Sequence, residues 1–320
     1  MASYDQIAKN NWRYRISLGK NPTTGKYEYI SKTGFKRKSD AKHHAEMIER
    51  QLRNGEYIAP SSSTFKQVAD DWLSQYANDV KVSSVRAREK AIQHAIERFN
   101  TKPIQTIKKH DYQRFVDDMS AQYSKNYVDS IVASTNMIFK YANDMRLIKA
   151  MPSEGIKRPK KKVSVEELED IEIHKKFLEK DELFQFLEVA KYHHSPQNSF
   201  EVFTTLAYTG MRAGELLALK WSDIDFENNT ISITKTYYNA NNNKKHYQIL
   251  TPKTESSIGK ISVDPHVIQL LKDYKENVQD TWKNELYVDN NFVFTDVNGY
   301  PLVIKKLSTW IQAIMKKTDI

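Results

Sequence analysis

Residues 205–225, which read TLAYTGMRAGELLALKWSDID, hold the arginine whose surroundings best predict chemistry. Arg212 follows a Thr209-Gly210 break between two apolar runs, and Glu215 lies three residues after it. An arginine in such a place needs an anion, and in a chain of net charge +9 the expected anion is a phosphate diester. The alternative is a simple helical ion pair, because residues i and i+3 of a helix face each other.

The elements that must position Arg212 are predicted over residues 163–320 as a mixture of helices and strands. Apolar residues recur at helical spacing in Lys180–Tyr192, Asn198–Tyr208, Arg212–Trp221, Pro265–Val278 and Lys305–Lys316. Strands are predicted at Thr230–Thr236, Tyr247–Leu250 and Gly259–Val263. Lys253 therefore lies between two strands, near the tip of a β-turn, where a lysine is ordinarily solvated.

Residues 1–58 are predicted to form a separate unit of three strands and one helix. Along the first strand, Trp12, Tyr14, Ile16 and Leu18 alternate with Arg13, Arg15 and Ser17, a pattern typical of a half-buried strand. Further strands are predicted at Tyr27–Ser31 and Phe35–Arg37. Ser39 is predicted to cap a helix whose apolar face is Ala41, Ala45, Ile48 and Leu52.

Most of the excess positive charge lies in this first unit, which holds 12 Lys+Arg and 6 Asp+Glu. Its candidate DNA-binding residues are Arg13, Arg15, Lys36, Arg37 and Lys38, which would lie in the major groove. The alternative is an ordinary solvated sheet face.

Residues 64–150 carry helical spacing throughout and are predicted to form a bundle of four or five helices. The helices are expected at Phe65–Gln75, Ser83–Phe99, Lys109–Met119 and Ser124–Met145. Two linkers flank the bundle, one at Ala59–Ser63 and a basic one at 151–162. In the second linker Lys160, Lys161 and Lys162 are candidates to run along a phosphate backbone.

Composition narrows the classes of protein and of site. The chain holds 49 Lys+Arg and 18 tyrosines, and a basic, aromatic surface is typical of nucleic-acid binding. The absence of cysteine excludes disulfides, thiol catalysis and cysteine-ligated zinc, and no metal site is predicted. No apolar run approaches the roughly 20 residues that span a bilayer, and the N-terminus is too polar for a signal peptide. We therefore expect a cytoplasmic protein that does not bind membranes.

Two stretches resemble one family of enzymes closely. Residues 209–219 match the T-G-x-R-x-x-E-[LI]-x-x-L pattern around the first catalytic arginine of tyrosine recombinases, the phage integrase family. Residues 251–260, TPKTESSIGK, resemble the T-x-K-T-x-x-S-x-R/K-like stretch around that family's catalytic lysine. Upstream, residues 1–58 look like the arm-site-binding domain of integrases from phages and conjugative elements of Gram-positive bacteria. Residues 64–150 look like their core-site-binding domain.

The resemblance implies an α+β multidomain protein with a small sheet-plus-helix domain, a helical bundle and a mixed α/β catalytic domain over 163–320. It implies a site-specific recombinase that integrates and excises a mobile element such as a prophage through a phosphotyrosyl intermediate. Arg212 would grip the scissile phosphate, Glu215 would orient its neighbours and Lys253 would protonate the leaving 5′ oxygen. No cofactor is implied, because the phosphotyrosyl link conserves the bond energy.

The implied partners follow from the same resemblance. They are double-stranded DNA at attachment sites, further copies of the chain in a homo-tetramer on DNA when the protein is full length, an excisionase and a host DNA-bending protein.

The chain departs from the family after Lys253. The family pattern continues with His-x-x-Arg and then a tyrosine nucleophile, but the one later histidine, His266, begins His-Val-Ile-Gln. Tyr274, Tyr287 and Tyr300 precede the expected motif, so none of them is expected to be the nucleophile. We therefore expect the catalytic domain to be incomplete at its C-terminal end and the chain to be inactive as it stands. The last helix should then expose an apolar face of Leu307, Trp310, Ile311 and Ile314.

Two other functions remain open from the sequence. One is a non-catalytic DNA-binding protein that occupies attachment sites, and the other is an RNA-binding protein. Strand-transfer assays on a chain with the missing motif restored separate an integrase from the first alternative. Competition between duplex DNA and structured RNA tests the second.

Overall fold

The computed structural model describes residues 2–159, 177–192, 198–252 and 258–318. The chain divides into two compact units, Met1–Val163 and Ser164–Ile320. The first unit holds two apolar cores, one between a sheet and a helix and one inside a helical bundle. The second unit packs helices and strands around a single core. The prediction of an α+β multidomain protein is therefore confirmed.

The first unit opens with a three-stranded antiparallel sheet in the order β1-β2-β3, followed by one helix. The elements are β1 Ala2–Ala8, β2 Asn11–Lys20, β3 Tyr27–Phe35 and α1 Lys38–Arg53. Tyr14 and Ile16 of β2 are buried against Ala45 and Ile48 of α1, as the alternation in the sequence predicts. Leu18 is exposed, because the pairing of β2 with β3 shifts between Ser17 and Gly19.

The strand predicted around Trp12–Leu18 is confirmed as β2, but the other two strands differ from the prediction. Ala2–Ala8 forms an edge strand that was not predicted, because its side chains are mostly exposed and carry little apolar alternation. Tyr27–Ser31 and Phe35–Arg37 were predicted as two strands, but Tyr27–Phe35 is continuous. Gly34 lies inside it with a φ of 97°, so the glycine marks an irregular strand position rather than a turn.

The rest of the first unit is a helical bundle. Its helices are α2 Phe65–Asp79, α3 Val82–Phe99, α4 Lys109–Gln122 and α5 Lys125–Asp144, with a short 3-10 turn at Ile104–Thr106. Thr64 begins the bundle, since its hydroxyl accepts from the Gln67 amide at 3.2 Å while the Gln67 side chain accepts from the Thr64 amide at 2.9 Å. The four helices agree with the sequence prediction.

The predicted linker between sheet and bundle is held against the bundle. The Gln105 side-chain nitrogen donates to the Ala59 carbonyl at 2.9 Å, and its oxygen accepts from the Ser61 amide at 3.1 Å. The Ile104 amide donates to the Ser63 carbonyl at 3.0 Å. Residues 59–63 therefore form a strap along the bundle.

The second unit mixes helices and short strands around one apolar core. In chain order its elements are α6 Lys180–Tyr192, α7 Ser199–Thr209, α8 Ala213–Leu217, β4 Ile224–Asp225, β5 Thr230–Ile233, β6 Thr236–Tyr238, β7 Gln248–Leu250, β8 Gly259–Ser262, α9 Pro265–Tyr274 and α10 Ile304–Met315. β4, β5 and β8 form one antiparallel sheet, and β6 pairs with β7.

Three predicted elements of this unit are shorter or interrupted. The helix predicted at Arg212–Trp221 ends at Leu217, and the strand predicted at Thr230–Thr236 breaks after Ile233. The helix that begins at Pro265 changes after Tyr274 into a π-helical turn, Lys275–Gln279.

The expectation for the last helix is wrong. Leu307, Trp310 and Ile314 are buried in the core of the unit, and of the four apolar residues only Ile311 is largely exposed. Among the described residues, no helix is both long and apolar enough to cross a lipid bilayer.

Candidate functional site around Arg212

Arg212 is placed by a sharp change of direction between two helices. Helix α7 ends at Thr209, and Gly210 follows in the left-handed conformation at a φ of 65°, which favours glycine. Arg212 then adopts an extended conformation and immediately precedes α8. Two side chains of α8, Leu216 and Leu217, are fully buried. The arginine is therefore fixed at the surface by a segment that is anchored in the core.

Glu215 holds Arg212 at two points. One carboxylate oxygen accepts from the Arg212 backbone amide at 2.9 Å, and the other accepts from Nη1 of the guanidinium at 2.8 Å. The Glu215 side chain is 7% exposed, whereas that of Arg212 is 65% exposed. The buried carboxylate thus orients an arginine that solvent, and hence a phosphate, can reach.

Gly214 lies between these two residues and touches the neighbouring strand. A Cβ at this position would lie 2.5 Å from Oγ1 of Thr236 and 3.3 Å from the carbonyl oxygen of Tyr237. Helix α8 can therefore approach β6 this closely only because residue 214 has no side chain. Sequence reasoning missed this role, although a glycine inside a predicted helix is a signal of close packing.

A buried glutamine holds the segment that follows α8. Gln279 is 2% exposed, and its Oε1 accepts from the indole nitrogen of Trp221 at 2.7 Å. Its side-chain nitrogen lies 3.0 and 3.1 Å from the carbonyl oxygens of Phe292 and Val293. The π-helical turn brings Gln279 into this position, which the prediction of an uninterrupted helix to Val278 did not foresee.

Lys253 and three basic candidates lie outside the described residues, namely Lys160, Lys161 and Lys162. The flanking elements are described: β7 before Lys253 pairs with β6, and β8 after it pairs with β5. Because β5 and β6 are consecutive in the chain, both ends of the Lys253 segment are joined to the stretch Thr230–Tyr238, which includes the Thr236 that contacts Gly214.

Two of the three tyrosines that the sequence analysis excludes as nucleophiles are held by hydrogen bonds within the second unit. Tyr274 is 2% exposed, its hydroxyl accepts from Nδ2 of Asn198 at 2.9 Å, and burial raises the pKa of its phenol. The Tyr287 hydroxyl lies 3.2 Å from Oγ1 of Thr295, and burial raises its pKa too. Neither presents an exposed phenolate.

The first unit collects two of its candidate residues on one face of the sheet. Arg13 and Arg15 lie on the side of β2 opposite to Tyr14, which packs against α1. The Arg13 guanidinium pairs with Asp5 of β1 at 2.9 Å, and that of Arg15 lies 4.6 Å above the ring of Tyr29. This open face is therefore both basic and aromatic.

The other three candidates of this unit lie at the junction of β3 and α1. Lys36 and Arg37 are exposed in the connection, and Nζ of Lys38 lies 5.6 Å from the ring centroid of Trp12. Trp12 and Arg13 are neighbours in β2, so their side chains point to opposite faces of the sheet. Because Lys38 lies over Trp12, it is not on the Arg13–Arg15 face.

Family comparisons match most of the chain in three separate parts. The model of the phage integrase family matches residues 176–320, that of the phage integrase N-terminal SAM-like domain matches 64–120, and that of the Arm DNA-binding domain matches 3–52. The chain belongs to the phage integrase family.

Several relatives of this phage integrase-family chain are named as integrases of prophages, phages or other mobile elements. The prophage ps2 probable integrase of Lactococcus lactis is 28% identical over 298 residues, covering 91% of this chain and 74% of the relative. Among solved structures, the Tn1549 transposon integrase in complex with circular intermediate DNA covers 81% of each chain with a TM-score of 0.63 at 21% identity. A lambda integrase tetramer bound to a Holliday junction has a TM-score of 0.57 at 15% identity, covering 99% of this chain and 84% of that one. At these identities the two structures show a shared fold.

Proposed function

We propose that this chain belongs to a site-specific DNA recombinase that integrates and excises a mobile element. One observation carries the proposal: within the family pattern of residues 209–219, the exposed Arg212 is held at two points by the buried Glu215. A preoriented arginine is what stabilisation of a phosphoryl-transfer transition state requires, because the charge develops on the phosphate oxygens.

The proposed reaction uses each residue once. A tyrosine hydroxyl loses its proton to solvent and its oxygen attacks the scissile phosphorus, the bond to the 5′ oxygen breaks, and a phosphotyrosyl link to the 3′ side forms. Arg212 holds the non-bridging oxygens, Glu215 positions Arg212, and Lys253 donates the proton to the leaving 5′ oxygen. Residues 1–320 contain no His-x-x-Arg sequence, so we assign the nucleophile to none of their tyrosines.

Duplex DNA is the proposed partner of both units. The basic, aromatic face around Arg13 and Arg15 would enter a major groove, and the helical bundle would bind next to the cleavage site. Assembly on DNA would be tetrameric, as in the lambda integrase structure. An excisionase and a host DNA-bending protein would be further partners.

A second candidate is a non-catalytic protein that occupies attachment sites. It is supported by the basic, aromatic face around Arg13 and Arg15, which bears on DNA binding and not on strand cleavage. The two candidates share DNA binding and differ only in strand cleavage.

The test joins residues 1–320 to a family segment that carries His-x-x-Arg and the tyrosine, and uses a nicked suicide substrate. Arg212→Ala should abolish cleavage but keep duplex affinity within a few-fold, and Lys272→Ala, on an exposed face of α9, serves as the control. Lys253→Ala should slow cleavage, and a 5′-bridging phosphorothiolate, whose sulfur leaves without a proton, should rescue Lys253→Ala but not Arg212→Ala. Normal cleavage by Arg212→Ala would overturn the proposal.

A further inference from the structure

Two lysines of the second unit lie beside one tyrosine, and a third lysine lies near them, apart from the Arg212 segment in sequence. Lys244 and Lys245 lie in the loop between β6 and β7, and their ammonium nitrogens lie 5.2 and 5.9 Å from the ring centroid of Tyr300. Lys306, in the first turn of α10, lies close enough to Lys244 and Asp296 for both to influence its pKa. We call Lys244, Lys245, Lys306 and Tyr300 the lysine cluster.

The carboxylate in contact with the cluster, that of Asp296, is already used. Its Oδ1 accepts from the backbone amides of Asn298 at 2.9 Å and Tyr300 at 3.1 Å, which closes the turn that carries the tyrosine. Its Oδ2 accepts from Lys244. Within the described ranges, neither Lys245 nor Lys306 lies within ion-pair distance of a carboxylate. The cluster thus sets three cations against one anion.

The surroundings of Lys306 disfavour its charged form. Burial and the nearby Lys244 lower the pKa of Lys306, although Asp296 opposes them. The Lys306 ammonium lies 5.0 Å from the ring of Trp310, which attracts a cation and is packed in the core, so the lysine is held in place. The first turn of α10 contains Lys305 and Lys306 and no acidic residue, although helix dipoles disfavour cations there. A bound anion would favour the charged form of Lys306.

We propose that the lysine cluster binds a phosphate of the DNA backbone, as a second phosphate-binding site of the catalytic unit. The proposal rests on the proposed function, since it takes duplex DNA as the partner. Lys245 and Lys306 would contact the phosphate oxygens, Lys244 would add its charge while bound to Asp296, and the Tyr300 ring would pack against the adjoining deoxyribose. Such a contact carries no sequence information and fixes the position of the duplex on the protein.

The test compares two double variants of the 320-residue chain that remove the same charge. Lys245→Gln/Lys306→Gln removes the two lysines without a carboxylate partner and leaves the Lys244–Asp296 pair intact. Lys272→Gln/Lys316→Gln removes two exposed lysines elsewhere in the unit. Duplex affinity is measured by fluorescence anisotropy over a range of salt concentrations, and thermal melts verify that both variants fold.

The cluster variant should bind duplex DNA about 5- to 10-fold more weakly at 100 mM salt, and its slope of log affinity against log salt should fall by about 0.9, the value for one lost phosphate contact. The control should lose less than about 2-fold. Equal losses in the two variants would overturn the inference and leave the proposed function standing. Failure of the unmodified chain to bind duplex DNA at low salt would instead overturn the proposed function.

Acetylation of lysines with an amine-reactive ester gives a second measurement that does not depend on variants. Bound duplex should protect Lys245 and Lys306 from acetylation, as read by mass spectrometry, and should leave Lys316 reactive. Unchanged reactivity of both cluster lysines under saturating DNA would contradict the proposed contact.

Discussion

Substitution of Gly214 by alanine should disturb the Arg212 site without touching the arginine. The new Cβ would lie 2.5 Å from Oγ1 of Thr236, closer than real Cβ contacts come, and 3.3 Å from the carbonyl oxygen of Tyr237. Either Thr236 must change rotamer or α8 must move away from β6. Because Arg212 immediately precedes α8, the second response also displaces the guanidinium.

The expected magnitude follows from two opposing effects. Forcing an extra methyl group into a packed contact costs about 1–3 kcal/mol, whereas replacing glycine by alanine in a helix regains about 1 kcal/mol. The net loss of unfolding free energy should therefore be about 1 kcal/mol, with a range of about 0–2 kcal/mol. For a unit of this size, such a loss lowers the melting temperature by about 2–4 °C.

A double-mutant cycle isolates the contact from the change in helix propensity. In a Thr236→Ala background the 2.5 Å contact is gone, and the closest remaining neighbour of the new Cβ is the Tyr237 carbonyl. Gly214→Ala should then be neutral or stabilising, so the two substitutions should couple by about 1–2 kcal/mol in urea unfolding. A coupling below about 0.5 kcal/mol, the usual error of additivity, would refute the packing argument.

A matched glycine in the same unit provides the control for the Gly214 experiment. Gly259 begins β8, and a Cβ added there meets nothing within 4 Å. Gly259→Ala should leave the unfolding free energy unchanged or raise it by up to about 1 kcal/mol, because alanine restricts the unfolded chain. A loss at Gly259 as large as the loss at Gly214 would mean that the contact with Thr236 is not the cause.

Three further predictions concern other side chains. Gln279→Ala should lower the unfolding free energy by roughly 2–4 kcal/mol in urea titrations, because it leaves the buried indole of Trp221 and two carbonyls without their partner. Burial and Lys32 lower the pKa of His44, so as the pH falls the unfolded state binds the proton before the folded state does. The melting temperature of the first unit should therefore fall as the pH drops below about 6.5, and His44→Gln should remove this dependence. The 320-residue chain should form no SDS-stable adduct with a nicked suicide substrate, and an adduct at Tyr274 would contradict its assignment to the core.

The sequence predicted the part of the site that depends on short-range spacing. Arg212 and Glu215 pair as their spacing predicts, although Arg212 is the extended residue before α8 and not part of the helix. Spacing alone does not show that Glu215 is buried while Arg212 is exposed. The length of α8 was overestimated, since an apolar run continues to Leu219 whether or not the backbone stays helical. Contacts between distant segments, such as Gly214 with Thr236, leave no periodic signal.

The errors elsewhere have the same origin. The edge strand Ala2–Ala8 is stabilised by backbone pairing with β2, which its own side chains do not indicate. The last helix was expected to lack a partner. The prediction took residues further along the family pattern to be the ones that cover the apolar face of Leu307, Trp310 and Ile314. The helix instead packs into the core formed by the elements before it. The sequence shows that a face is apolar, but not which surface covers it.

The strap at residues 59–63 limits how the two parts of the first unit can reach separate DNA sites. Tyr57 packs against the sheet-and-helix core, and the Ala59 carbonyl is already bound by Gln105, so Ile58 alone separates the two attachments. One residue spans at most about 3.6 Å, whereas a free linker over residues 54–63 could extend about 35 Å. The distance between a duplex on the sheet and a duplex on the bundle is then set by the protein. Attachment sites with different spacings would have to be accommodated by curvature of the DNA, at a cost that its stiffness determines.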